Sequence, residues 1–168
     1  MKYLQFLGNS EVDVREKPVP QPGSGEVLVQ IALSAICGSE IHTLMDGIDS
    51  SDSQVLNNTG HESVGVAVEV PAGGRIRQGQ RVGVNIMYGC GKCIYCLNGD
   101  PVHCEKVRIY QNAHSDYMVV PESCLVPLPD DLSWDASVIM CGDMLGTPYH
   151  ALKRIGGVNS TQRVAIFG

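Results

Sequence analysis

Apolar and polar positions alternate in short runs through most of the first 130 residues. Met1–Leu7 has the residue types of a strand, and Val12-Asp13-Val14 alternates apolar and charged. Pro18, Pro20 and Pro22 stiffen a connection into the Pro-Gly-Ser-Gly turn at 22–25. Val27–Ala32 alternates as a strand buried on at least one face. Ser63–Val70 is richer in valine, and Arg81–Met87 follows a Gly/Arg loop. Tyr117–Val120 and Leu125–Val126 are short strands bracketed by Pro121, Pro127 and Pro129. A short helix is predicted to begin at Cys37-Gly38-Ser39. Many short strands with glycine and proline punctuation predict a mainly β, barrel-like domain with a few helices. The chain shows no internal repeat and no low-complexity segment.

One stretch breaks this pattern. Cys90, Cys93, Cys96 and Cys104 stand at C-x2-C-x2-C-x7-C spacing, which reads first as a closed tetrathiolate zinc site. The x2 steps let successive thiolates curl round one ion. Gly89, Gly91 and Gly99 give the backbone room to turn, and Asp100-Pro101 brings it back toward Cys104. Four thiolates leave zinc no open position, so such a site is structural. Two rivals stay open. Disulfides would need an oxidising compartment, and an iron–sulfur cluster of the bacterial form would close with x3 and Cys-Pro rather than x7 and Glu105.

Composition narrows the function. The formal charge of −6 and the lack of a Lys/Arg cluster give no footprint for DNA or RNA. That argues against a nucleic-acid reader, a common use of cysteine-rich zinc modules. No apolar run approaches membrane-spanning length. Met1-Lys2 leads straight into a strand-like segment, so no signal peptide is expected, and the seven cysteines are expected to be reduced in a cytoplasmic protein.

A second metal-capable set lies in two separate segments. Cys37-Gly38-Ser39-Glu40-Ile41-His42 opens the predicted helix, and Gly60-His61-Glu62 opens the next strand. Taken singly, a cysteine is commonly a small core residue and a histidine a satisfied hydrogen-bonder. Ser39 and His42, at i, i+3 spacing, share a helix face. Ser39 also suits a helix N-cap.

These motifs together resemble the catalytic domain of zinc-dependent medium-chain alcohol dehydrogenases. The resemblance rests on Cys37-Gly-Ser-x-x-His42, on Gly60-His61-Glu62-x-x-Gly65 and on the four-cysteine lobe. It is supported by residues 22–29, by Gly79-Gln80-Arg81-Val82 and by Tyr117–Pro121. It implies a distorted GroES-like β barrel carrying the zinc lobe. It also implies two zinc ions per chain, one structural and one catalytic. The catalytic ion would be held by Cys37, His61 and a third ligand, with Glu62 beside the metal and able to exchange onto it. Asp143, in Asp-Met-x-x-Thr-x-x-His, matches the bacterial secondary-alcohol enzymes and is the chosen third ligand, with Cys141 as rival. Ser39 and His42 would relay the proton. Glu40 stands where the family usually has an aspartate that orients the ligating histidine, and its extra methylene changes the reach. Cys124 is expected in core or surface filler, and His103 and His114 as ordinary surface or hydrogen-bonding residues. Pro71, Gln80 and His114-Ser115-Asp116 depart from the usual pattern and suggest altered loops.

The resemblance also divides the chain. Residues 1–127 correspond to the GroES-like catalytic domain, with the zinc lobe at 89–105. Residues 128–168 correspond to connecting helices and the first strand of a truncated Rossmann domain. Val164–Phe167 is the expected strand, and Gly168 would be the first glycine of the Gly-x-Gly-x-x-Gly fingerprint. The strand is expected to pack on the 143–155 helix or on a neighbouring copy, which would make the protein a homo-oligomer. The implied function is oxidation of a small alcohol, or reduction of a carbonyl, with NAD or NADP, the chain alone being inactive for want of its cofactor domain. The alternative is a non-catalytic, zinc-stabilised binding or assembly module.

Overall fold

The computed structural model describes residues 1–46, 60–110 and 112–167. Strands β1 (Lys2–Gly8) and β2 (Glu11–Glu16) form an antiparallel hairpin. Asn9 and Ser10 both take positive φ, 52° and 62°, at its two-residue turn, which matches the right-handed twist of the flanking strands. Phe6 is buried, whereas every residue of β2 is exposed.

The main sheet is antiparallel and runs β8-β3-β4-β5-β9. Its members are β3 (Glu26–Ala35), β4 (Glu62–Glu69), β5 (Arg81–Val84), β8 (Tyr117–Pro121) and β9 (Leu125–Pro127). The two edge strands are joined by the short 3-10 turn Glu122–Cys124. Four residue steps span at most about 15 Å, less than the roughly 19 Å across four strand spacings of a flat sheet. The sheet therefore curls into a half barrel, as the sequence predicts. Val27, Val29, Ala67, Val82, Val84, Met118, Val120 and Leu125 fill its interior, with Cys124 among them.

The structure differs from the sequence reading in several places. The expected Arg81–Met87 strand is interrupted. The Asn85 amide donates to the Cys124 carbonyl, while its side chain accepts from Met87 N–H, so the chain leaves the sheet there. The next residues form β6 (Met87–Tyr88), paired with β7 (Arg108–Ile109). β3 also runs three residues past Ala32, carrying Ser34 to the threshold of the first helix.

Four α-helices complete the described residues: α1 (Gly38–Asp46), α2 (Ile94–Leu97), α3 (Trp134–Cys141) and α4 (Asp143–Tyr149). Ser133 caps α3 through its Oγ, which accepts from Ala136 N–H, and α3 packs on β3, β4 and β5. Pro148 inside α4 removes one backbone donor, and a π-helical stretch, His150–Ile155, follows. Val164–Phe167 forms no strand. Among the described residues it has no ladder partner, and Ile166 and Phe167 are exposed, as is Val164. A strand gains its hydrogen bonds from a neighbour, and neither α4 nor the π-helical stretch supplies one. With Val164, Ile166 and Phe167 exposed, the packing expected for this segment against the 143–155 helix is absent among the described residues. Among the described residues no helix is long and apolar enough to cross a membrane.

Gly65 lies where β4 crosses β3, and a Cβ there would collide with the Gln30 carbonyl. Gly65→Ala is expected to destabilise the fold by about 1–3 kcal/mol. Gly146, in α4, faces open space at negative φ, so Gly146→Ala should stabilise by up to about 1 kcal/mol. Urea denaturation of both variants measures the contrast.

Candidate metal centres

The four-cysteine lobe hangs from the β6–β7 pair. The Cys93 Sγ caps α2 by accepting from Cys96 N–H at 3.5 Å. Cys104 Sγ accepts from Cys90 N–H at 3.4 Å and from Lys106 N–H at 3.3 Å. Amides aimed at sulfur in this way favour the thiolate over the thiol. Gly91 and Gly99 take positive φ at the two turns, and a Cβ on Gly89 would strike the Cys96 sulfur. All four sulfurs lie within 4.8 Å of one another, and all seven cysteines are free thiols. Such a donor set fits one zinc ion, whose sulfur ligands sit about 2.3 Å from the metal. The backbone N–H groups of Lys92 and Cys93 lower Cys90 to about 6, while burial leads the rise of Cys96 to about 11.

The second centre is assembled from distant elements. His61 precedes β4, Glu62 begins it, and Asp143 begins α4. One ligand atom from each lies within 4.8 Å of the others, and His61 Nε2 is 3.7 Å from Asp143 Oδ2. Glu62 is buried, and its Oε1 accepts from Met144 N–H at 3.2 Å. Glu62 thereby caps an α4 terminus that Gly142 cannot cap, and so holds Asp143 near His61. Gly142 allows this approach, since a Cβ would stand 3.0 Å from the Glu62 side chain. One imidazole and two carboxylates suit zinc.

Cys37 lies outside that close group and belongs to a neighbouring segment. It sits between β3 and α1, half-buried, and its N–H donates to Glu40 Oε2 at 3.0 Å. The other Glu40 oxygen accepts from Gly60 N–H. A buried carboxylate thus joins the backbones on which Cys37 and His61 stand. His61 Nδ1 is 3.8 Å from Glu40 Oε1, too long for a hydrogen bond. Burial pushes the Glu40 carboxyl up, but hydrogen bonds from His114, Cys37 and Gly60 outweigh it and hold the group below its ordinary range.

His114 is the residue that sequence reasoning undervalued. Of the two readings given it, surface or hydrogen-bonding, the structure shows the second: its side chain is only 8% exposed, its Nδ1 is 2.7 Å from Ser34 Oγ and its Nε2 3.2 Å from Glu40 Oε2. The available signal was its place in His114-Ser115-Asp116, where a small residue was expected. Cys141 lies against Gly83, whose added Cβ would strike the Cys141 sulfur, and burial raises its thiol. Cys124 is a core residue, and His103 is exposed. Ser39 is in the first turn of α1. His42 is in the same helix, and its side chain lies outside the described residues.

In zinc-free, reduced protein, alkylation should reach Cys90 first, because the thiolate is the nucleophile and forms above about pH 6 there. Cys124, raised to about 11 by burial, should label last. Peptide mapping after iodoacetamide pulses between pH 5 and 9 checks the order.

The chain is similar to known proteins over most of its length. Residues 23–130 match the alcohol dehydrogenase GroES-like domain. The chain is 35% identical over 175 residues to YphC of Escherichia coli K12, an uncharacterized zinc-type alcohol dehydrogenase-like protein, covering 96% of this chain and 49% of YphC. It is 34% identical over 167 residues to an alcohol dehydrogenase of Geobacillus stearothermophilus, covering 94% of this chain and 48% of that protein. The chain thus spans about half the length of these curated relatives. Among solved structures, it matches a short chain alcohol dehydrogenase (rspB) of E. coli CFT073, complexed with NADH. That match has a TM-score of 0.70 and 28% identity, covering 83% of this chain and 42% of the other. A match over most of the chain, on a fold that brings His61, Glu62 and Asp143 together beside a four-cysteine lobe, places the protein in the alcohol dehydrogenase GroES-like domain family.

Proposed function

We propose that the protein is the catalytic-domain portion of a zinc-dependent, NAD(P)-linked alcohol dehydrogenase acting on a small alcohol or carbonyl. The observation that carries this reading is the convergence of His61 and Glu62 with Asp143 at the start of a distant helix. Cys37, His61 and Asp143 would hold the catalytic zinc, Glu62 would stand beside it, and Cys90, Cys93, Cys96 and Cys104 would hold the structural one. When bound, the catalytic ion supplies Lewis-acid polarisation of the substrate oxygen.

The chain's own groups supply the rest. Ser39, in the first turn of α1, accepts the alcohol proton and passes its own to His42, one turn further along, which releases it to solvent. Glu62 anchors α4 and so fixes the approach of Asp143. In the net reaction the alcohol carbon gives a hydride to NAD(P)+ and its oxygen loses a proton, leaving carbonyl, NAD(P)H and H+. In this reading the nicotinamide would be bound by a Gly-x-Gly-x-x-Gly unit beyond these 168 residues, which contain no such sequence.

Asp143→Ala should release one of two zinc ions and abolish turnover in the full-length enzyme, whereas Cys141→Ala should keep both ions. Loss of zinc from Cys141→Ala instead would transfer the ligand role to Cys141. The 168-residue chain by itself should show no micromolar affinity for NAD+ or NADP+ by calorimetry. Such affinity would contradict the division of labour proposed here.

A further inference from the structure

We propose that His114 is a positioning residue for the zinc site. Anchored by Ser34, it locks the Glu40 carboxylate in the orientation that clamps the Cys37 and Gly60 N–H groups. It thereby sets the spacing between the Cys37 and His61 ligand segments. The proposal rests on the zinc site proposed above.

The proton arrangement follows from the partners. A carboxylate only accepts, so His114 Nε2 carries a proton, and in the neutral ring Nδ1 accepts from the Ser34 hydroxyl. The imidazole is then held at both ends, and its plane dictates where Glu40 Oε2 sits. Three donors, from Cys37, Gly60 and His114, define the carboxylate plane. Without His114, Oε2 keeps only the Cys37 amide, and the buried carboxylate can turn toward His61 Nδ1, which lies 3.8 Å from Oε1. That motion would release a backbone clamp on one ligand segment or the other.

The main chain around His114 is built for the same task. Ala113 N–H donates to the Gly60 carbonyl at 3.2 Å, and a Cβ on Gly60 would collide with His114 N. Leu4 N–H donates to the His114 carbonyl at 2.8 Å, tying the segment to β1. Ser34 is paired with Ser63 and lies on the strand that delivers Cys37. His114 therefore meets the strand before Cys37, the helix turn after it, and the residue before His61. The longer glutamate, in place of the family's usual aspartate, reaches both amides but needs a third group to fix it.

Cobalt(II) titration of the purified protein, followed by visible absorption, tests this without relying on turnover. His114→Phe is expected to weaken cobalt binding at the His61 site by roughly 10–100-fold and to shift its bands. Affinity at the four cysteines and the far-ultraviolet circular dichroism should stay unchanged. His114→Gln, which retains an N–H donor, should recover most of the affinity, and Ser34→Ala should lose an intermediate part. In a Glu40→Gln background, His114→Phe should add little, since both act through one carboxylate. A folded His114→Phe protein that binds cobalt within about twofold of wild type, with unchanged bands, overturns the assignment. Should that variant fail to fold, Ser34→Ala decides: weakened binding supports the proposal and unchanged binding overturns it. If wild type itself binds metal only at the four cysteines, the zinc-site reading fails and the proposal falls with it.

Discussion

A single buried carboxylate organises the candidate catalytic centre. Burying an ionised glutamate is costly unless its oxygens are well supplied with donors, and Glu40 has two backbone amides and one imidazole. The amides belong to Cys37 and Gly60, on chain segments the barrel alone does not hold in register. β3 ends before Cys37 and β4 starts after His61, so neither proposed ligand is inside a strand ladder. The carboxylate extends the alignment of the sheet by a few residues, to where the proposed ligands stand. Glu62 likewise combines two tasks, lining the candidate centre and capping the helix that carries Asp143.

The curled sheet is the frame on which these contacts depend. Its interior is filled mainly by valines from β3, β5 and β8, with Ala67 from β4, and its closure follows from the short turn between the two edge strands. Glycines mark the tightest crossings: Gly65 under the Gln30 carbonyl, and Gly83 against Cys141. The latter contact places the Cys141 thiol on the sheet, while the next turn presents Asp143 to His61. The four-cysteine lobe depends less on the barrel, since its four sulfurs come from one short stretch and its amide-to-sulfur bonds lie within it.

Much of this was legible in the sequence, for physical reasons. Alternation fits β8, which buries every second residue, whereas β4 and β5 were marked by their valines and are buried at consecutive positions, with α3 packed on them. The cysteine spacing identified the lobe because short x2 steps leave few other uses for four thiols. The β6–β7 pair escaped because each strand has two residues and no readable period. Val164–Phe167 has the apolar composition of a strand, but a strand forms only against a partner, and none of the described residues pairs with it. At the site, Cys37, His61 and Glu62 stood in recognisable motifs, and Asp143 followed from the same resemblance. His114 did not, because its role exists only in the fold: its partners Ser34 and Glu40 are 80 and 74 residues away. Glu40 was expected to hold His61 through its imidazole; the structure instead shows it holding the backbone before His61.

The proposed function requires two chemically different metal sites on one barrel, the second organised by Glu40. A crystal structure of the zinc-loaded protein, with anomalous scattering at the zinc edge, tests this most directly. Two zinc peaks are expected. One is surrounded by the four sulfurs at about 2.3 Å; the other touches Cys37, His61 and Asp143, with Glu40 still bonded to the Cys37 and Gly60 amides. A single peak in the cysteine lobe, or a second peak bound by Cys141 with Asp143 turned away, would contradict it.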